Sequence, residues 1–355
     1  AGSWYFSDLV LVPDHDPGPY NVKLERFTPS EDGGSATFQR TQNSERPGFY
    51  LLQQAGGVTA RINEIAKEDK STVTRELEQV SGKLKTGQNV VFNSNYYSGD
   101  PKQALGVNFT GVSIKGVLGP MPAWLIPGKA DTWVIFVHGH NASPQSGLKY
   151  VRAIQGVGLP SLLITYRNDV GAPPSPDGLL HLGATEWQDL DAAAKYALTH
   201  GAKKLVLFGA SMGGAIVSQF LHESPRATNV AAVVFDAPVL NWSAVFSFQA
   251  TQRGLPQFLA DTSEIVVSER IGIDFAQFDQ IARAKSFKWP ILLTHGGQDQ
   301  VVPISTSEQF AAALPLTVEF HKVPEAAHVE SWNVDPDQYD SWFKPFLRNN
   351  APGAH

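Results

Sequence analysis

The hydrophobic pattern changes character once along the chain. From about Tyr20 to Pro120, short stretches such as GFYLL, STVTREL and NVVFNSNYY alternate apolar with polar positions and are separated by turn residues. Alternation of this kind buries one face of each strand, so this part predicts a small, mainly β unit. From Thr132 onward the strand-length stretches are apolar throughout: WVIFVHG, SLLITYR, KLVLFGA, VAAVVFDAP, PILLTHGG and TVEFHKV. Strands with no polar face are covered on both sides, as in a mostly parallel sheet with helices above and below. Between them, EWQDLDAAAKYALTHG sets Trp187, Leu190, Ala194 and Leu198 near helical spacing and ends on glycine, an amphipathic helix with a C-terminal stop. SMGGAIVSQFLHES, ISTSEQFAAAL and DPDQYDSWFKPFL supply further helices, and SIKGVLGPMPAWLIPG reads as a hairpin leading into the sheet.

The expected fold class is therefore α/β: a mostly parallel sheet with helices on both faces, preceded by a small β-rich domain. The expected boundaries are 1–115 for the β-rich domain and 116–355 for the α/β domain, with a helical insertion at about 241–288. That insertion is too long for an ordinary connection, and an insertion of this size covers something. Within it, Asp274 is placed to cap a helix whose Phe275, Phe278, Ile281 and Ala282 share one face, while NWSAVFSF adds Trp242, Phe246 and Phe248.

Composition narrows the chemistry. The 355 residues carry 28 Lys plus Arg against 34 Asp plus Glu, with no basic run, so nucleic acid is not an expected partner. No stretch approaches the roughly 18 consecutive apolar residues of a spanning helix. The first residues, AGSWYFSDLVLVPDHDPGP, lack the basic start and long apolar core of a secretory signal. A secreted or membrane-anchored location stays open if an upstream signal was removed, and a cytoplasmic one otherwise. With no cysteine at all, thiolate nucleophiles, disulfides and zinc thiolates are excluded, leaving hydroxyl, imidazole and carboxylate chemistry.

Candidate chemistry centres on Gly209-Ala210-Ser211-Met212-Gly213, a G-x-S-x-G pentapeptide directly after the strand KLVLF and directly before a helix. Such a corner exposes a serine Oγ at a helix N-terminus, where free amides favour developing negative charge. A serine hydroxyl is a weak nucleophile and needs a base and an acid. His328, in VPEAAHVESW, follows the last strand, and Asp299, in GGQDQVVP, follows the strand before it. Ligand and catalytic groups of open α/β sheets gather at these carboxyl ends. A rival acid is Asp236, at the end of VVFDAPVL. Two backbone donors are needed for an oxyanion; Met212, next to the serine, and His140, in the HGHN loop, are the candidates. His138 and His140 form an H-x-H pair, but Asn-Ala-Ser follows where metallohydrolases of that kind add Asp-His, so neither a metal nor any other cofactor is expected.

HGH, GASMGG, GGQDQVVP and AAHVESW occur in that order over residues 132–350, and this part resembles an α/β-hydrolase of the serine esterase, lipase and serine aminopeptidase group. VSIKGVLGPMPAWLIPG, TYRND and the compact insertion are similar to bacterial relatives of the BEM46-like hydrolases. The resemblance implies a Ser211, His328, Asp299 triad cleaving carboxylic esters of small molecules through an acyl-serine, with Trp242, Phe246 and Phe248 in the pocket wall. It leaves two alternatives open. One is a peptidase or amidase using the same residues, with Glu330 or Asp335 as candidates to hold a substrate amine. The other is a binding protein that kept the fold without the chemistry.

Overall fold

The computed structural model describes residues 2–16 and 18–355. Six strands, β1 (Val22–Ser30), β2 (Gly33–Gln39), β3 (Tyr50–Gln54), β4 (Val58–Glu68), β5 (Thr72–Ser81) and β6 (Asn89–Asn93), close into a barrel in the order β1-β2-β5-β4-β3-β6. Alternation in the sequence becomes an inside and an outside: in β2 the buried residues are Gly34, Ala36 and Phe38, every second one. Val22, Leu24, Phe38, Leu52, Ile62 and Phe92 fill the interior. Closure removes the free edges that a small sheet would otherwise present.

Eight further strands form a second sheet: β7 (Thr110–Lys115), β8 (Pro120–Ile126), β9 (Thr132–Val137), β10 (Ser161–Ile164), β11 (Lys204–Ala210), β12 (Val230–Asp236), β13 (Ile291–Gly296) and β14 (Val318–Val323). Their order is β14-β13-β12-β11-β9-β10-β8-β7. β9 to β14 run parallel, whereas β8 pairs antiparallel with β10 and with β7. Every residue of β9, β10 and β13 is buried, as unbroken apolar runs require of strands covered on both faces.

The helices are α1 (Gly2–Leu11), α2 (Pro101–Leu105), α3 (Leu148–Gly156), α4 (Trp187–Thr199), α5 (Met212–Glu223), α6 (Trp242–Gln252), α7 (Gln257–Ile271), α8 (Ile304–Ala313), α9 (Ser331–Val334) and α10 (Pro336–Asn350). One sheet face packs Leu190, Ala194, Ile216 and Phe220 of α4 and α5, and the other packs Tyr150, Val151, Tyr339 and Phe343 of α3 and α10.

The insertion consists of α6, α7 and two short 3-10 turns, and its second half differs from the expected helix. Asp274 does cap, accepting from the Ala276 amide at 3.0 Å, but only a 3-10 turn at Phe275–Phe278 follows. The cause is Asp279, whose side chain accepts from the Ile281 and Ala282 amides, each at 3.0 Å. An aspartate that bonds its own downstream backbone starts a new turn and ends the one before it.

The first residues, for which the sequence predicted no element, form α1 and lie along α7. Arg270 of α7 pairs with Asp8 at 2.7 Å and sits over the Trp4 ring. No helix among the described residues is long and apolar enough to cross a membrane.

Candidate active site

β11 ends at Ala210, α5 begins at Met212, and Ser211 between them has φ 55° and ψ −121°. A non-glycine residue is strained there, at a cost of order 1–3 kcal/mol, and persists only where its surroundings fix it. Here the Ser211 amide donates to the Asp236 carbonyl at 3.0 Å, and its carbonyl accepts from Gly214 and Val239, both at 2.9 Å. The corner also demands Gly213, because a Cβ there would lie 2.1 Å from the Val137 carbonyl oxygen.

His328 follows β14 and Asp299 follows β13. His328 Nε2 lies 2.8 Å from Ser211 Oγ, and Nδ1 lies 2.7 Å from Asp299 Oδ2. An ionised carboxylate only accepts, so Nδ1 carries the proton and Nε2 is left to accept from the serine hydroxyl. Burial works to raise the Asp299 value, but the charge and hydrogen bonds of His328 and His295 outweigh it and hold the carboxyl well below the usual range. Burial likewise works to lower the His328 value, and Asp299 overturns this, raising it with smaller contributions from Asp236 and Glu330. His295 is a partner the sequence reading missed. Its Nε2 faces Asp299 Oδ2 at 3.1 Å and the Val302 carbonyl at 3.2 Å, while Nδ1 meets Ser307 Oγ at 2.7 Å. Both neighbours of Nε2 are acceptors, which fixes the tautomer. The signal was the four-residue spacing from His295 to Asp299, which periodicity does not interpret in a loop.

Asp236 points elsewhere. It is fully buried and accepts from Tyr150 Oη at 2.8 Å and Thr294 Oγ1 at 3.0 Å. The HGH loop is pinned from behind: His138 stacks on Tyr166, and its ring nitrogens meet Asp169 Oδ2 at 2.8 Å and the Gly139 carbonyl at 2.9 Å. His140 Nε2 instead donates to the Val10 carbonyl of α1 at 2.7 Å. The amides of Met212 and His140 have no hydrogen-bond partner among the described residues, and Gly139 between the two histidines backs directly onto Ser211.

A cavity of about 240 Å³ opens at Ser211. Trp242 and Phe246 of α6 line it, together with Val245 and Ala250. Phe248 does not: two residues from Phe246 at about 100° per residue, it is turned to another side of α6 and is absent from the lining. Leu259 and Ser263 of α7 complete one wall, and Phe6, Leu9 and Val10 of α1 complete another. That second wall comes from a segment some 200 residues away from the serine, and no local pattern announces such a contact. Arg253 is the charged lining residue. Glu330 and Asp335 stand outside the cavity lining: Glu330 is buried in a pair with Arg46, and Asp335 caps α10 by accepting from the Gln338 amide at 2.9 Å.

A serine at a strand-to-helix corner in a mostly parallel, helix-covered sheet defines the α/β-hydrolase class, and comparison with known proteins agrees. A model described as the prolyl oligopeptidase family matches residues 176–348, and one described as a domain of unknown function matches residues 29–93, within the barrel. An uncharacterised protein of Mycobacterium tuberculosis is 26% identical over 239 residues, covering 64% of this chain and 75% of that protein. Acylamino-acid-releasing enzyme 2 of Oryza sativa subsp. japonica is 26% identical over 250 residues, covering 62% of this chain and 31% of the enzyme. Among solved structures, the Pyrococcus furiosus esterase Pf2001 superposes with a TM-score of 0.57 at 21% identity, over 71% of this chain and 96% of that one. The chain is a serine hydrolase of the α/β-hydrolase superfamily.

Proposed function

We propose that the chain hydrolyses carboxylic esters with uncharged, short to medium acyl groups through an acyl-serine intermediate. The observation that carries the reading is the relay from Ser211 Oγ through His328 to Asp299, with heavy-atom spacings of 2.8 and 2.7 Å, opening onto an apolar cavity. In this reading His328 Nε2 takes the hydroxyl proton as Ser211 Oγ attacks the carbonyl carbon. The tetrahedral oxyanion is met by the Met212 and His140 amides. Collapse breaks the bond to the alcohol, which leaves with the proton from Nε2. Water, deprotonated by the same nitrogen, then attacks the acyl-serine and releases the acid. Asp299 holds the imidazole tautomer and balances the imidazolium as it forms.

The lining bears on the substrate class. A free N-terminal amine entering the pocket needs a carboxylate, and no Asp or Glu among the described residues lines the cavity; Glu330 and Asp335, the two acids the sequence offered, are committed elsewhere. A second reading is favoured by the prolyl oligopeptidase match and by the acylamino-acid-releasing relative: cleavage of amides whose amine end is already acylated, so that no cation enters. A panel of p-nitrophenyl esters from acetate to palmitate, run beside N-acetyl-alanine and free alanine p-nitroanilides, separates them. The ester reading predicts turnover concentrated on short and medium esters. Faster cleavage of the N-acetyl anilide than of any ester would reassign the enzyme to the second class.

A further inference from the structure

The barrel meets the α/β domain at the segment that carries His328. Arg46, in the loop before β3, pairs through Nη1 with Glu330, which is 3% exposed, and its Nη2 donates to the Phe92 carbonyl at 2.9 Å. Tyr50 of β3 shares its hydroxyl proton between the Pro47 carbonyl at 2.8 Å and Glu330 Oε2 at 3.1 Å. Asn333, fully buried, donates to the carbonyls of Phe49 and Ser94 at 2.6 and 2.9 Å, and its own carbonyl accepts from the Phe49 amide at 2.9 Å. The approach is close enough to demand glycine at position 48, where φ is 92° and a Cβ would stand 1.9 Å from the Asn333 carbonyl oxygen. From below, Lys149 of α3 donates to the Val329 carbonyl at 2.8 Å and to Asn333 Oδ1 at 3.0 Å. Val329, next to His328, is held at φ 56°, a position a β-branched residue keeps only under outside restraint.

We propose that the barrel is a positioning module for the catalytic base: Arg46 and Tyr50, acting through Glu330 and Asn333, fix the backbone from Ala327 to Asn333 and so aim His328 at Ser211. The inference rests on the reading of His328 as the base. Leaving that backbone loose would cost rate rather than substrate affinity, because a misplacement of about 1 Å in a reacting group costs on the order of 10²-fold.

The same contacts act on charge. Burial raises the Glu330 value, and Arg46, Tyr50, Lys149 and His328 work against it. In turn, the groups that raise the His328 value are Asp299 from the loop after β13, Asp236 from the end of β12, and Glu330 from its own loop. Burial wins and the Glu330 value is raised; Arg46 opposes that rise and so favours the ionised form of a carboxylate that in turn favours the protonated form of the base.

The test uses the full chain, with Arg46→Met, Glu330→Gln, the double variant, and the milder Tyr50→Phe for the case in which the first two fold poorly. A fluorophosphonate probe counts competent serines, p-nitrophenyl butyrate hydrolysis is expressed per competent serine across pH, and melting is followed in parallel. Positioning predicts that Arg46→Met lowers kcat per competent serine about tenfold or more with KM changed by less than about threefold. Tyr50→Phe should show a smaller loss of the same kind, and the double variant should recover part of the Arg46→Met loss. Glu330→Gln should move the acid limb of the profile to lower pH, because a charge that raises the His328 value is gone. Unchanged kcat per competent serine in all variants, with only melting or the number of competent serines reduced, overturns the proposal and leaves the barrel a stabilising element. An acid limb that stays in place in Glu330→Gln overturns the electrostatic part. A wild-type chain inert toward the probe overturns the ester-hydrolase reading itself, and this inference with it.

Discussion

His295 and His328 share one oxygen of Asp299: Oδ2 receives Nδ1 of His328 at 2.7 Å and Nε2 of His295 at 3.1 Å. His295 is fully buried, and its ring meets Asp299, the Val302 carbonyl and Ser307, so its expected part is to hold the carboxylate rather than to touch substrate. Replacing it with Phe keeps the volume and removes the donor. A hydrogen bond to a charged group is worth about 1.5–3 kcal/mol, so His295→Phe should lower stability by that order. Asp299 keeps its bonds from the Val301 and Val302 amides at 2.7 and 2.9 Å, so kcat should fall only about tenfold. Melting and steady-state kinetics on one ester check both values, and an unchanged kcat would mean that those amides orient Asp299 unaided.

Ser211→Ala and His328→Ala should each remove nearly all ester turnover, and the double variant should be little worse than either, because residues that act as a unit lose their effect together. Asp299→Asn should cost about 10³-fold or more through the wrong imidazole tautomer. Asp236→Asn disturbs the Tyr150 and Thr294 bonds instead and should show mainly as a lower melting temperature. Kinetics that ranked Asp236→Asn as the worse catalyst would transfer the acid's role to it.

The pH profile follows from the His328 shift. In the proposed reaction His328 works neutral, and its value is raised in the folded chain, so kcat/KM should climb with pH to a plateau reached above the ordinary histidine value. Asp299→Asn removes the charge that raises it, and the residual activity should show an acid limb moved to lower pH. Stability runs the other way for the two partners. The contribution from His328 is complete below its unfolded value and fades as pH rises through the folded one. That from Asp299, whose folded value is depressed, is present above its unfolded value and fades only in strong acid. Melting temperatures at several pH values read both trends.

Phe246→Ala should enlarge the cavity and shift the preferred acyl chain upward by several carbons, at a stability cost of up to about 3–5 kcal/mol for a buried Phe. Phe248→Ala, off the lining, should leave the chain-length profile where it is. The ester panel decides, and a shift in Phe248→Ala equal to that in Phe246→Ala would mean that the acyl group lies elsewhere.

His140→Ala keeps the amide proposed for the oxyanion and loses only the ring that holds the Val10 carbonyl. kcat should fall less than about tenfold, whereas loss of a true oxyanion donor costs about 10²–10³. KM for longer esters should rise as the α1 wall loosens. A loss of kcat on the larger scale would bring the imidazole itself into the reaction.

Legibility in the sequence followed distance along the chain. The strand beneath Ser211, the helix above it and the loop positions of Asp299 and His328 each rest on local apolar patterning with one or two turn residues, and the structure brings those three side chains within hydrogen-bond reach. The aromatics of α6 were legible as a group, but not which of them face inward, since Phe246 and Phe248 differ only in angle around the helix. What the sequence could not give were contacts between distant segments of ordinary appearance: α1 against the cavity, His295 behind Asp299, and Arg46 against Glu330. No periodicity encodes those, because each partner alone reads as an unremarked surface or loop residue.

The link between Arg46 and Glu330 spans 284 positions of the chain, and that separation has a consequence for synthesis. A nascent chain releases the barrel strands before those of the α/β domain, and domains fold as units in order of emergence. The barrel therefore forms with the Arg46 guanidinium lacking its carboxylate partner and with the rings of Tyr96 and Tyr97, which Arg61 of the barrel covers, lacking their contact with Trp332, until the segment that carries Glu330 and Trp332 arrives. A premature stop or a carboxyl-terminal nick before that loop leaves both a cation without its carboxylate and an aromatic pair covered only in part, exposed apolar surface of the kind that makes incomplete chains prone to aggregate. The contact that seals the barrel thus doubles as a mark of completion, made only when the strand, loop and helix carrying the last member of the relay are all in place.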